Sequence, residues 1–179
     1  FLDRSKTERE CVFTAIREAE ARGFVEYKPG MPIQTGDKFY WNNRGKAIML
    51  AVIGEEDLSH GANIGAAHTD APRLDIKPNP LYEDTELAYL KTHHYGKDRV
   101  KLSVLRILNE KYGIVEEDFI SAELEAVPAA NARDIGLDRS MIGAYGHDDR
   151  VCAYTSLVAQ LAIENPKRTA VTVLVDKEE

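Results

Sequence analysis

The chain contains 179 residues, 44% of them hydrophobic, which is enough for one full-sized domain and excludes a disordered or collagen-like polypeptide. Acidic residues outnumber Lys and Arg by 30 to 23, and the net charge of −7 argues against nucleic acid as the main partner. The longest mainly apolar stretch, 47–54, is far shorter than the roughly 20 residues that span a bilayer, so no membrane segment is expected.

The two cysteines predict the redox environment of the protein. Cys11 and Cys152 both fall within apolar helical patterns, so no disulfide framework is expected and the cytoplasm is the predicted compartment. The chain opens at Phe1 and ends directly after an apolar run, which a natural domain seldom does. We therefore expect the sequence to be a piece of a longer protein.

The first predicted element is a helix over residues 5–22. Ser5 and Glu8 have the spacing of a capping box, and Gly23 supplies the stop. The apolar positions that recur at helical spacing are Cys11, Val12, Ala15, Ile16 and Ala19.

Three strands are expected next. Residues 38–42 and 46–53 are predicted to form a hairpin around the turn Asn43-Arg44-Gly45. Residues 62–67 are small and apolar, which is typical of a buried strand, and they lead into the polar triplet His68-Thr69-Asp70.

The middle of the chain is interrupted by prolines, and short strands are predicted over 74–77 and 85–92. Asp98 is expected to cap a helix that Gly113 ends. Residues 119–127 have the alternation of charged and apolar side chains that is typical of an edge strand.

The last part of the chain predicts a long loop, a helix and a strand. Residues 128–147 are rich in Gly, Pro, Asn and Asp, and long loops of this kind are often functional. A strongly apolar helix over 150–163 and a continuous apolar strand over 169–175 follow. This order of elements favours an α/β fold with a mixed, largely parallel sheet and helices on both faces.

Three polar clusters stand at strand ends or directly before a helix, where open α/β sheets place their functional sites. They are His68-Thr69-Asp70, His147-Asp148-Asp149 and Glu178-Glu179. Each also has an ordinary structural explanation: a hydrogen bond within a turn, helix-capping acids, and a pair of exposed acids.

Taken in order, the clusters fit a metal-dependent hydrolase. His68 with Asp70 two residues on can form a metal ligand and the partner that fixes its tautomer. One acid of the pair Asp148-Asp149, at a helix start, can hold two cations, while Glu178-Glu179 can supply one general base and one ligand. Hard oxygen donors with one imidazole suit zinc, cobalt or manganese, and a two-metal hydrolytic site needs this mixture.

Three motifs, AHTDAPRLDIKP, AYGHDDRVCAY and VLVDKEE, resemble the bacterial branch of the M18 metalloaminopeptidases, also called aspartyl aminopeptidases. The resemblance extends over nearly the whole chain and places it in a clan of di-zinc exopeptidases with a zinc-exopeptidase-like catalytic domain. It implies an enzyme that removes residues one at a time from peptides with a free N-terminus. It also implies two divalent metal ions per subunit, zinc first, with cobalt or manganese as alternatives.

The resemblance assigns a role to each motif residue. His68 would bind one ion, with Asp70 orienting it, and Asp148 would bridge both ions. Relatives in the clan hold the peptide bond that follows this bridging Asp in the cis form. Glu178 would be the general base and Glu179 a ligand of the second ion.

The resemblance also implies that residues 1–179 are a partial catalytic domain. An insert that covers the active site and builds the oligomer is expected near Gly96-Lys97, and two further ligands, an Asp and a His, are expected after Glu179. A homo-oligomer, a dodecamer in the family, is the expected assembly. Two alternatives stay open: a di-zinc deacylase or carboxypeptidase of the same clan, and a catalytically inactive assembly protein.

Overall fold

The computed structural model describes residues 1–76, 81–84, 87–90 and 100–178, which divide into two compact units. The first, here called the sheet unit, consists of Phe1–Pro72 and Pro128–Glu179. The second, the middle unit, is Arg73–Val127.

Within these ranges the chain forms three α-helices and eleven strands. The helices are α1 (Glu8–Glu20), α2 (Val100–Tyr112) and α3 (His147–Leu161). The strands are β1 (Val25–Glu26), β2 (Lys38–Asn43), β3 (Ala47–Val52), β4 (Asn63–His68), β5 (Leu74–Ile76), β6 (Leu81–Asp84), β7 (Leu87–Leu90), β8 (Leu124–Ala126), β9 (Arg133–Ile135), β10 (Met141–Gly143) and β11 (Ala170–Val175). None of the described helices combines the length and the apolar character that crossing a membrane requires.

The sheet unit is built on a five-stranded sheet with the order β1-β2-β3-β11-β4. The pairs β1–β2 and β11–β4 are parallel, and the pairs β2–β3 and β3–β11 are antiparallel, so the predicted α/β class with a mixed sheet is confirmed. In the register of the β11–β4 pair, Val175 lies opposite His68. The chain that leaves β11 is therefore placed beside the polar triplet that begins at the end of β4.

The predicted hairpin is confirmed in position and in turn chemistry. Arg44 and Gly45 have φ values of 57° and 72°, and the N–H of Lys46 donates to the carbonyl of Asn43 at 3.1 Å. Two successive residues with positive φ form the tight turn whose twist matches that of the flanking strands.

Both helices of the sheet unit pack on the same face of the sheet. Tyr40, Leu50 and Thr172 lie opposite one another on β2, β3 and β11, so their side chains share a face. The Tyr40 hydroxyl donates to Glu20 of α1, and the Thr172 hydroxyl donates to Gln160 of α3. The core between helices and sheet is formed by Val12, Ala15, Ala19, Phe24, Tyr40, Ile48, Leu50, Val52, Ala67, Ala153, Leu157, Leu161 and Leu174.

The opposite face of the sheet carries large apolar side chains that stay accessible. Trp41, Ile64 and Val175 are exposed by 50%, 70% and 36%. The second helical layer that the sequence predicts is thus not formed by the described residues of the sheet unit.

The start of α1 differs from the prediction. The capping box is formed by Thr7 and Glu10, because the Thr7 hydroxyl accepts the N–H of Glu10 and the Glu10 carboxylate accepts the N–H of Thr7. Ser5 and Glu8, which have the same spacing, are both buried instead. The sequence thus contains two possible capping boxes, offset by two residues. The helix uses the pair Thr7 and Glu10, because the Glu10 carboxylate can stay in solvent.

Residues 128–147, predicted as a loop, contain the antiparallel hairpin β9–β10. Its strands are three residues long, too short for an alternating pattern to show, and positive φ values at Gly136 and Arg139 shape the turn between them. The predicted loop was therefore wrong in these two short segments.

The middle unit contains α2, which packs against the β6–β7 hairpin, and the antiparallel pair β5–β8. The predicted edge strand over 119–127 is shorter than expected, because Glu116–Ile120 forms a 3₁₀ helix and only β8 is extended. The strand β6 was not predicted. The prediction over 85–92 is confirmed for β7, while Asp98 lies outside the described residues.

Candidate metal centre

Three segments of the sheet unit meet where β4 and β11 end. His68 is the last residue of β4, Glu178 follows β11, and Asp148 lies at the start of α3. The N–H of Thr69 donates to the carbonyl of Val175 at 2.8 Å, which continues the β4–β11 pairing beyond the strands. The strand register therefore places the clusters after β4 and β11 side by side, and the start of α3 brings Asp148 to the same place.

The His68 ring lies between one buried carboxylate and several more accessible ones. Its Nδ1 is 3.3 Å from Oδ1 of Asp70, whose side chain is only 5% exposed. On the other side, Nε2 is 3.4 Å from Asp148 Oδ1, 3.8 Å from Glu178 Oε2 and 4.0 Å from Asp149 Oδ2. One ring nitrogen is thus held in place, and the other faces a concentration of negative charge.

The electrostatics of the centre are visible in the pKa of His68. Burial pulls this pKa down, but the hydrogen bond and charge of Asp70, followed by the charges of Glu178 and Asp149, together raise it above its ordinary value. The carboxylates stabilise a positive charge at the imidazole. A cation near Nε2 experiences the same field.

Asp70 contacts two of the segments. Besides facing His68, its carboxylate accepts the backbone N–H of Glu178, at 3.1 Å to Oδ2 and 3.3 Å to Oδ1. The sequence predicted the first contact and missed the second, which depends on the β11–β4 register.

The adjacent acids Asp148 and Asp149 have different surroundings. Their peptide bond is cis, as the resemblance implied, and both residues have non-helical φ and ψ. Asp149 Oδ1 accepts the N–H of Cys152 at 3.3 Å, so the helix-capping explanation holds for Asp149. The Asp148 side chain is 85% exposed and stays available for another ligand.

Four of the five predicted site residues are therefore brought together: His68, Asp70, Asp148 and Glu178. The fifth, Glu179, lies outside the described residues.

A buried ion network lies beside the centre. Lys46 Nζ is 3.0 Å from Oε1 of Glu8, which is fully buried, and 3.4 Å from Oδ2 of Asp176, two residues before Glu178. The network links α1 and β3 to the segment that carries Glu178. Sequence reasoning missed it, although Glu8 stands on the apolar stripe of α1, three residues before Cys11, and that position is a signal of a buried charge.

We expect Lys46→Met to lower the free energy of unfolding by about 3 kcal/mol or more, because removing one partner of a buried ion pair leaves uncompensated buried charge. Urea unfolding followed by circular dichroism measures the change.

Lys38→Met is the matched control, since Lys38 lies on the neighbouring strand and pairs with Glu164, whose side chain is 71% exposed. Its expected effect is about 1 kcal/mol or less, as for surface ion pairs in general. Equal effects of the two substitutions would contradict the assignment of Lys46 to a buried network.

Comparison with known proteins identifies the family. The family model described as "Aminopeptidase I zinc metalloprotease (M18)" matches residues 1–98 and 96–179. A probable M18 family aminopeptidase 1 of Clostridium acetobutylicum is 39% identical, over 100% of this chain and 57% of its own length. The crystal structure of aminopeptidase I from Borrelia burgdorferi B31 has a TM-score of 0.92 and 33% identity, over 99% of this chain and 59% of that one.

A more distant structure shares the fold. The mApe1 dodecamer of S. cerevisiae has a TM-score of 0.75 at 14% identity, over 99% of this chain and 59% of that one. The present chain thus spans a little more than half the length of the relatives it matches. With the family model matched along both parts of the sequence, the chain belongs to the M18 family of zinc metalloproteases.

Proposed function

We propose that the full-length protein carrying this chain is a zinc-dependent aminopeptidase that hydrolyses N-terminal residues from peptides with two metal ions. One observation carries the proposal: His68 is fixed by a buried carboxylate at Nδ1 and faces three further carboxylates from two other segments at Nε2. Membership of a family of zinc metalloproteases supports the same conclusion.

The donor set fits zinc. An imidazole whose opposite nitrogen contacts a carboxylate is a common zinc ligand, and carboxylate oxygens complete such sites. In the proposal His68 would hold one ion, Glu179 would hold the other, and Asp148 would help to hold both. Zinc, when bound, supplies a Lewis acid that polarises the scissile carbonyl and helps to activate water.

Glu178 is the proposed general base. The Glu178 side chain is 62% exposed, so its carboxylate can reach water and substrate. Its backbone N–H is held in place by a hydrogen bond to Asp70. The Glu178 carboxylate would accept a proton from the attacking water and later donate one to the leaving amine. Asp70 would hold both the His68 ring and the Glu178 backbone during these steps.

Assembly and compartment belong to the same proposal. A homo-oligomer is proposed, in line with the dodecamer of the S. cerevisiae relative. An insert near Gly96-Lys97 is supported by the two matches of the family model, which meet at residues 96–98. A cytoplasmic location is supported by Cys11 and Cys152, which are both free thiols.

A panel of peptides tests the proposed reaction. The full-length protein with zinc is expected to release the first residue of a free peptide and to leave its N-acetylated form intact. Release of the C-terminal residue from the acetylated peptide would instead indicate a carboxypeptidase, and release of the acetyl group a deacylase. A protein with no hydrolysis and no bound zinc would be an inactive assembly protein.

A further inference from the structure

Arg150 is the largest fully buried side chain of the sheet unit, with 1% of its surface exposed. It directly follows Asp148 and Asp149 and begins the regular part of α3. Its Nε donates to the carbonyl of Thr69 at 3.1 Å, and its Nη2 donates to the carbonyl of Lys6 at 2.9 Å. One guanidinium thus joins the start of α3, the end of β4 and the segment before α1.

The contact with Thr69 reaches the candidate metal centre. Thr69 stands between His68 and Asp70, and both its N–H and its hydroxyl donate to the carbonyl of Val175, at 2.8 and 3.0 Å. A continuous set of hydrogen bonds therefore runs from Arg150 through Thr69 to Val175. It connects the three segments that carry His68, Asp148 and Glu178.

The Arg150 guanidinium is tightly packed against Tyr145 and Gly146. The Tyr145 ring lies 5.2 Å from its central carbon, and a Cβ on Gly146 would lie 1.8 Å from Nη1. Gly146 also has a φ of 81°, which favours glycine on its own account. A side chain at this position would require the Arg150 guanidinium to shift.

Packing alone does not explain an arginine here. Its Nη1 has no hydrogen-bond partner among the described residues, and burying an unsatisfied donor of a charged group is unfavourable. An apolar side chain of similar volume would avoid that penalty. What an apolar side chain cannot provide is the pair of directed N–H groups that bind Thr69 and Lys6.

We propose that Arg150 is a positioning residue of the metal centre. Its guanidinium fixes the His68–Asp70 segment against the start of α3, and so sets the spacing between the His68 and Asp148 ligands. The inference rests on the proposed function, because it needs zinc to bind at these residues.

Arg150→Lys in the full-length protein tests the inference, since lysine keeps the charge but lacks the planar guanidinium and its pair of directed N–H groups. Zinc affinity is measured by competition with a chromogenic chelator, and kcat and KM with a free peptide. We expect zinc affinity to fall by about tenfold to a hundredfold, as for other groups that hold metal ligands. The expected kinetic result is a lower kcat at full zinc loading, with KM changed by less than about twofold, because no substrate contact is removed.

Gln160→Met is the matched control, because Gln160 is also buried on α3 and holds the other end of β11 through Ala170 and Thr172. It is expected to lower the melting temperature and leave zinc affinity and kcat unchanged. If Arg150→Lys does not fold, Arg150→Gln replaces it, because glutamine has a single nitrogen donor group and cannot bind both the Thr69 and the Lys6 carbonyls.

Three outcomes decide the matter. Weaker zinc binding in the Arg150 variant and normal binding in Gln160→Met supports the inference. Unchanged zinc affinity in the Arg150 variant, or an equal loss in Gln160→Met, overturns it while leaving the proposed function intact. A wild-type protein that binds no zinc overturns the proposed function, and this inference with it.

Discussion

Glu178→Gln is expected to lower the kcat of the full-length protein by about a hundred- to ten-thousand-fold, the usual contribution of a general base. Glutamine has the same shape but cannot accept the proton of the attacking water. The backbone of residue 178 is held by Asp70 through its N–H, which the substitution does not alter. Zinc content is therefore expected to stay unchanged, and metal analysis of the purified variant checks this beside the rate.

Glu164→Gln is the control for this substitution, because it makes the same chemical change at an exposed residue that pairs with Lys38. Its kcat should equal that of the wild type. A kcat of Glu178→Gln within about tenfold of the wild type would contradict the base role. Loss of zinc from Glu178→Gln would show that this residue is a ligand.

Asp148→Ala is expected to remove both metal ions, because a bridging carboxylate serves two ions at once. His68→Ala should chiefly weaken one ion, since an imidazole nitrogen binds a single metal. Metal analysis after dialysis, given as ions per chain, distinguishes the two variants. Activity is expected to be lost in both, so the metal count is the informative measurement.

Asp149→Ala provides the comparison for Asp148→Ala. Asp149 caps α3 through Cys152, so its removal should lower stability by about 1 kcal/mol and leave both ions bound. If Asp148→Ala still held two ions while Asp149→Ala lost them, Asp149 would be the bridge.

The sequence was most informative where a local pattern decides the structure. The hairpin turn at Arg44-Gly45, the apolar strand β11 and the end of β4 at His68 were all predicted within one or two residues. Each depends on residues that are neighbours in the chain: turn glycines, a continuous apolar run, and a polar triplet after small apolar residues.

Predictions failed where the outcome depends on distant residues. Two capping boxes compete at the start of α1, and the choice follows from Glu8 being buried against Lys46 on β3. The contact of Asp70 with Glu178 needs the β11–β4 register, and the contact of Arg150 with Thr69 needs the packing of α3 against β4. No local pattern specifies either. The ligand candidates could thus be named from sequence, but the groups that position them could not.

A metal titration of peptide hydrolysis shows whether the reaction depends on two bound zinc ions. The full-length protein is first stripped of metal with a chelator, and release of the N-terminal residue from a free peptide is then followed as zinc is added. We expect no release from the stripped protein, and a rise in rate that reaches its plateau at two zinc ions per chain. Hydrolysis that survives complete removal of the metal would contradict the proposed zinc dependence.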